Sequence, residues 1–148
     1  MSATTESKED RFQAIRQAVH SRCIVCGQKC SGGLNLEFEI LDDGSVSAVL
    51  ENGRHYEGYD GLLHGGIIAA IADGAMTNCL FAHGITAVTA ELNVRFRHPL
   101  TVNTPLRVVA KILRRNEPLF VIEAELIQES QIKARATGNF MEQSTVQI

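Results

Sequence analysis

The apolar positions of this chain alternate between helical and strand spacing, and the changes mark its elements. From Asp10 to Ser21, Phe12, Ile15 and Val19 recur at helical intervals, with charged and amide residues between them. That spacing predicts a short amphipathic N-terminal helix. Residues 1–10 are polar and read as a flexible tail ahead of a single domain over 11–148. A turn-rich segment runs from Cys23 to Gly33. Leu34, Leu36, Phe38 and Ile40 then alternate with Asn35, Glu37 and Glu39, and Val46, Ala48 and Leu50 alternate beyond Asp42-Asp43-Gly44. Two alternating runs around an Asp-Gly turn predict a β-hairpin.

Residues 52–66 form a loop rich in glycine (Gly53, Gly58, Gly61, Gly65, Gly66). Loops of such length inside a compact domain are often functional. Ile67–Ala82 is the one long helical stretch, apolar nearly all round, and Gly84 supplies its stop. A helix of that kind is covered on most sides. Four more alternating runs follow, over 92–96, 106–112, 120–126 and 132–140. Long strands joined by short turns predict an antiparallel sheet. With one helix to bury, that sheet is expected to curl around it, giving an α+β fold.

The composition fits one soluble globular domain. The chain has 148 residues, 45% hydrophobic and 21% charged, which argues against disorder, collagen and coiled coil. A net charge of −3, no Trp and 5% aromatic residues argue against nucleic-acid binding by bulk charge or base stacking. The polar N-terminus has no signal-peptide pattern, so a cytoplasmic location is expected. Ile67–Ala82 is interrupted by Asp73 and Asn78 and is shorter than the ~20 residues of a membrane span. No membrane partner is expected. Four cysteines in a cytosolic chain are expected as reduced thiols.

Asp73 is the only charge in the apolar helix. A buried carboxylate is costly unless paired or hydrogen-bonded, so it is either a structural acceptor or a functional group. His64, Gly65 and Gly66 open the same helix. Free backbone N–H groups there favour negative charge such as a developing oxyanion, and the glycines allow a ligand to approach closely. Asp73 lies nine residues beyond His64, about 13 Å along the axis at 1.5 Å per residue. At about 100° per residue it points to the opposite face. One helix cannot aim both groups at one atom, whereas two antiparallel copies related by a two-fold axis can.

His64-Gly65-Gly66 followed by Asp73 resembles the hotdog-fold acyl-CoA thioesterases, in the branch of the phenylacetic-acid-degradation thioesterase. The likeness runs from about Cys23 to Met141. It includes the strand Thr89 to Pro99 and the Cys23, Cys26, Gly27, Gly33, Leu34 pattern. The resemblance implies a hotdog fold, assembly into dimers and tetramers, hydrolysis of an acyl-CoA substrate to acid and CoA, and no cofactor. It implies that Asp73 is the catalytic carboxylate, as general base or nucleophile. Gly65 of a facing subunit would polarise the carbonyl by its N–H, and His64 would set the loop geometry. Gly66 and Gly58 would border the substrate, and Thr89 would place a hydroxyl near the carboxylate. Gly58 stands where several relatives carry an Asn. Thr89 has the opposite parity to Leu92, Val94 and Phe96, so it reaches the site only if a bulge or twist lies between Thr89 and Leu92.

Other chemistries find less support. The chain has no Gly-x-Ser-x-Gly, His-Glu-x-x-His, phosphate-binding loop or dinucleotide fingerprint. Cys79 on the helix reads as a packed thiol. His20, Cys23, Cys26 and Cys30 are candidate zinc ligands by residue type, four within eleven positions. Structural zinc usually joins two ligand pairs set further apart, so no metal is expected. Arg95, Arg97, Arg107, Arg114 and Arg115 either meet CoA phosphates or decorate solvated sheet edges. A catalytically idle acyl-CoA-binding hotdog remains a rival reading. A hotdog hydratase is a weaker one, because its close Asp/His pair is missing.

Overall fold

The computed structural model describes residues 5–143. Helix α1 spans Lys8–Val19 and buries Phe12 and Ile15. It begins before Asp10 because Ser7 and Asp10 form a reciprocal capping box: the Asp10 N–H donates to Ser7 Oγ at 3.0 Å and the Ser7 N–H to Asp10 Oδ2 at 3.3 Å. Residues 8–10 of the expected tail therefore belong to the helix, and residues 1–4 lie outside the described part.

Leu34, Leu36 and Phe38 are buried in alternation as expected, yet strand β1 is only Glu39–Ile40. Asn35 sits at φ 51, outside the extended region. The Leu34 and Leu36 N–H groups donate to the Ile24 and Val25 carbonyls. The segment is thus laced to the preceding turn, and the hairpin is short on its first side. Strand β2 is Val46–Leu50. A single 3-10 turn, Arg54–Tyr56, punctuates the glycine-rich loop. Helix α2 runs Gly65–Ala82, two residues earlier than its apolar pattern, because His64 caps it. Strands β3 (Ala87–Phe96), β4 (Leu106–Asn116), β5 (Leu119–Gln128) and β6 (Gln131–Glu142) follow.

The six strands form one antiparallel sheet in the order β1-β2-β4-β5-β6-β3. Its register puts like with like on the inner face: Ala48 opposite Val108, Val108 opposite Leu126, Ala124 opposite Ala136, Phe120 opposite Phe140. All of these are buried. Helix α2 packs against β2, β3, β4, β5 and β6, as a sheet curled around it requires. Among the described residues α2 alone has the length and composition to cross a bilayer, but most of it is buried inside the protein. That burial accounts for its apolar character.

Two glycines set how closely α2 is gripped. A Cβ on Gly138 would lie 2.7 Å from Met76 Sδ, and one on Gly74 would lie 2.5 Å from Val25 Cγ1 and 2.9 Å from Val25 Cβ. The Val25 Cβ is fixed to the backbone, so no rotamer change relieves the second contact. Gly74→Ala should therefore lose stability. Helix propensity favours Ala by about 1 kcal/mol, but overpacking costs about 1–3 kcal/mol. We expect a lower urea midpoint with an unchanged slope. A higher midpoint would mean that the 23–27 turn yields without cost.

Candidate active site

The uncovered side of α2 holds its only charge. Ile68, Ile71, Ala72 and every residue from Gly74 to Ala82 are buried; of the six that are not, Gly65 and Ile67 lie in the first turn and the other four are Gly66, Ala69, Ala70 and Asp73. These four recur at helical spacing and form one stripe. Asp73 is half-buried, and its Oδ1 accepts a hydrogen bond of 2.5 Å from the Thr89 hydroxyl. Among the described residues Oδ2 has no such partner.

Thr89 reaches Asp73 through an irregularity in β3. The register against β6 shifts between Thr89 and Glu91. Thr89 faces Phe140, while Leu92 faces Gly138 and Val94 faces Ala136. Phe140 and Ala136 point into the core. The extra residue, Ala90, therefore turns Thr89 onto the same face as Leu92 and Val94, as a bulge does. The parity problem posed by the sequence is resolved in this way.

His64, Gly65 and Gly66 lie at the exposed N-terminus of α2. His64 Nδ1 accepts the Gly66 N–H at 2.8 Å, which requires that nitrogen to be unprotonated and leaves the neutral ring's proton on Nε2. The His64 carbonyl accepts from Ile67 and Ile68. Gly65 is left with the free donor at this end: among the described residues its N–H has no partner, and a Cβ there would touch only the Phe96 ring at 3.8 Å. Gly66, its own N–H engaged, can offer a ligand close approach but not a donor. Gly58 packs on His64, where a Cβ would sit 3.2 Å from the His64 Cα. An Asn at this position would have to push the loop outward.

A cleft of about 600 Å³ opens beside this end of the helix. Gly58, His64 and Gly65 line it together with Tyr59, Phe96 and Arg97. Tyr59, Phe96 and His98 were not singled out from the sequence. Exposed rings at Tyr59 and Phe96 carry no motif, and only the fold brings loop 52–62 to the end of β3. Asp73 and Thr89 do not line this cleft. Within one chain the carboxylate and the free N–H are separate features, as helix geometry requires.

The cysteines divide into two kinds. Cys79 is fully buried, and burial pushes its thiol up to about 12. It suits packing and not nucleophilic attack. His20, Cys23 and Cys26 instead gather, with one ligand atom from each inside a 4.8 Å cluster; Cys30 does not join them. A hydrogen bond from Cys26, with a further one from His20, holds the Cys23 thiol well below its usual range. The bond with Cys23 and burial drive Cys26 upward.

Residues 60–134 match the thioesterase superfamily, and the chain belongs to that family. It is 26% identical over 114 residues to acyl-coenzyme A thioesterase THEM4 of Bos taurus, covering 74% of this chain and 47% of that protein. The chain spans about half the length of the curated relatives it matches. The fold is that of the PaaI protein of the E. coli phenylacetic acid degradation operon, with a TM-score of 0.77 at 16% identity over 93% of this chain and 94% of that one. A hypothetical thioesterase from Streptococcus pneumoniae, solved with coenzyme A, gives a TM-score of 0.68 at 17% identity over 73% and 88% of the two chains. The architecture is the hotdog fold: a curled sheet wrapped on one long helix.

The His64 cap makes a separable prediction. His64→Ala removes the acceptor of the Gly66 N–H and should cost about 1 kcal/mol, within the usual 0.5–2 kcal/mol for a lost N-cap. His64→Asn, which restores a good cap, should recover most of it. Equal urea midpoints for wild type and the Ala variant would mean that the imidazole contributes nothing to the helix end.

Proposed function

We propose that this protein hydrolyses an acyl-CoA thioester to a free acid and CoA, in a site assembled from two copies of the chain. The observation that carries this reading is the Thr89–Asp73 hydrogen bond on the one uncovered stripe of α2. It fixes one carboxylate oxygen and leaves the other free to take a proton. In the reaction, Asp73 Oδ2 accepts a proton from water as the water oxygen attacks the thioester carbonyl carbon. The oxyanion is held by the Gly65 N–H and the positive end of the helix. When the tetrahedral intermediate collapses, the C–S bond breaks and the proton held by Asp73 goes to the departing CoA sulfur. Water is thus divided between the acid and the thiol. Direct attack by Oδ2 on the carbonyl would reach the same products through an anhydride. Label from ¹⁸O-water appearing in Asp73 after a single turnover would identify that route.

The fold supports a shared site. Strand β3 is a ten-residue edge strand with one side unpaired, and Val88 and Phe96 are exposed along it. A long unpaired edge of this kind is a template for a second chain. Two-fold pairing along this edge is isologous and runs the two α2 helices antiparallel. The Gly65 end of one then approaches the Asp73 of the other. The cleft volume lies within the range of small-molecule sites, and Arg97 on its wall is placed to meet a CoA phosphate. THEM4 is named for acyl-CoA hydrolysis and the S. pneumoniae structure contains coenzyme A, both consistent with this substrate class.

Asp73→Asn is nearly isosteric and should keep fold and assembly while lowering kcat by about 10²–10⁴, the range for a positioned general base. Free-thiol release from short, medium, long and aromatic acyl-CoAs measures it. Near-wild-type turnover in the variant would remove Asp73 from the mechanism. Absence of turnover by the wild type on every acyl-CoA would favour a ligand-binding role instead.

A further inference from the structure

Beyond the thioester site, the turn after α1 brings three soft ligands together. We propose that His20 Nδ1, Cys23 Sγ and Cys26 Sγ bind one zinc ion, with the fourth coordination position open to solvent. This reverses the expectation drawn from spacing, which looked for two separated ligand pairs. Here the third ligand comes from the end of α1, three residues ahead of the first cysteine.

The distances fit a common cation. Tetrahedral zinc with Zn–N of about 2.0–2.1 Å and Zn–S of about 2.3 Å sets its N and S ligands roughly 3.6 Å apart. His20 Nδ1 and Cys26 Sγ are 3.5 Å apart, and Cys23 Sγ lies within the same cluster. An S–H···N hydrogen bond would account for one such pair, but the backbone of the turn is also organised around the Cys23 sulfur. The Val25 N–H points at Cys23 Sγ at 3.4 Å, the Cys23 N–H donates to the His20 carbonyl, and the Gly27 N–H donates to the Cys23 carbonyl. Gly27 closes the turn so tightly that a Cβ would lie 2.4 Å from the Cys23 nitrogen and 2.6 Å from two carbonyl oxygens. The backbone donor aimed at Cys23 Sγ favours its thiolate, the form that binds metal.

Charge and donor chemistry agree. Arg16 is buried. Its Nη2 donates to the Cys26 carbonyl at 2.8 Å, while its Nε has no partner, and among the described residues no carboxylate pairs with it. Two thiolates with Zn²⁺ between them make a neutral centre, so the Arg16 charge does not oppose the metal. Two thiolates and an imidazole select zinc over magnesium or calcium. A cleft of about 190 Å³ lined by Gln13, Gln17, His20 and Cys26 gives solvent access to the fourth position. Val25 rests on Gly74 of α2, and the His20 ring meets Phe81 edge-on, centroids 4.9 Å apart. Metal binding would therefore pin α1 and its turn to the helix that carries Asp73.

The test uses the full chain, loaded with zinc, passed through gel filtration and assayed by elemental analysis, with cobalt substitution in parallel. We expect about one zinc per chain and, for cobalt, a thiolate-to-metal charge-transfer band. Cys23→Ser and His20→Gln should each lose the metal, while Cys30→Ser keeps it. No zinc retained by the loaded wild type, or full retention by Cys23→Ser, overturns the site. Loss of zinc in a folded Cys30→Ser overturns the three-ligand assignment. Should the ligand variants fail to fold, the wild-type cobalt spectrum decides: a spectrum without the charge-transfer band rejects thiolate ligation. None of these readouts depends on thioesterase activity.

Discussion

Helix α2 must be hidden. Eighteen residues with a single charge cannot face water on all sides, because apolar side chains are stabilised in proportion to the area withdrawn from solvent. The short helix α1 covers only part of it, so the sheet itself has to bend until five of its strands touch α2. Alternation along β5 and the adjoining stretches of β4 and β6 supplies the apolar inner face. The glycines at 74 and 138 let the surroundings close to van der Waals contact on two sides. The curl of the sheet follows from that requirement.

Complete coverage would leave no room for chemistry. The stripe Gly66, Ala69, Ala70, Asp73 is the gap in the wrapping, and it lies along the open edge of the sheet. A carboxylate in that gap is partly withdrawn from water, yet its one hydrogen-bond donor is a neutral hydroxyl. It has no cationic partner among the described residues to neutralise it. The N-terminus of α2 has the complementary property. His64 consumes the Gly66 donor and leaves the Gly65 donor free, so the helix end presents a single directed N–H. These two features sit at different points along one helix and need a partner copy to meet.

Much of this was legible in the sequence, and the differences have specific causes. The long helix, the four later strands and the Asp-Gly hairpin turn follow from periodicity, since burial on one face writes itself directly into residue type. The start of α1 shifted because a capping box, not an apolar residue, decides where a helix begins. Strand β1 shrank because Asn35 leaves the extended region, a backbone choice that alternation does not encode. The parity of Thr89 did announce an irregularity, and Ala90 is the residue that absorbs it. The cleft walls at Tyr59, Phe96 and His98 were not legible, because they meet only through tertiary folding. His20, Cys23 and Cys26 were candidate ligands by residue type, but their spacing argued against a metal centre, and only the folded turn shows that the three gather without Cys30. Ligand spacing along the chain says little about a turn that folds back on the end of a helix.

The central claim is that donor and carboxylate come from different chains, and subunit exchange tests it directly. Gly65→Pro removes the N–H donor at the first helical position, where proline is well tolerated; His64, at ψ 133, already has the backbone that precedes a proline. Asp73→Asn removes the carboxylate. Each variant is first shown to be folded and inactive toward acyl-CoA, and the two are then mixed until mass measurement confirms heterodimers. A shared site predicts that activity returns, because one site in each heterodimer combines the intact Gly65 of one chain with the intact Asp73 of the other. Confirmed heterodimers that remain inactive would contradict the account and require Asp73 to act with donors of its own chain.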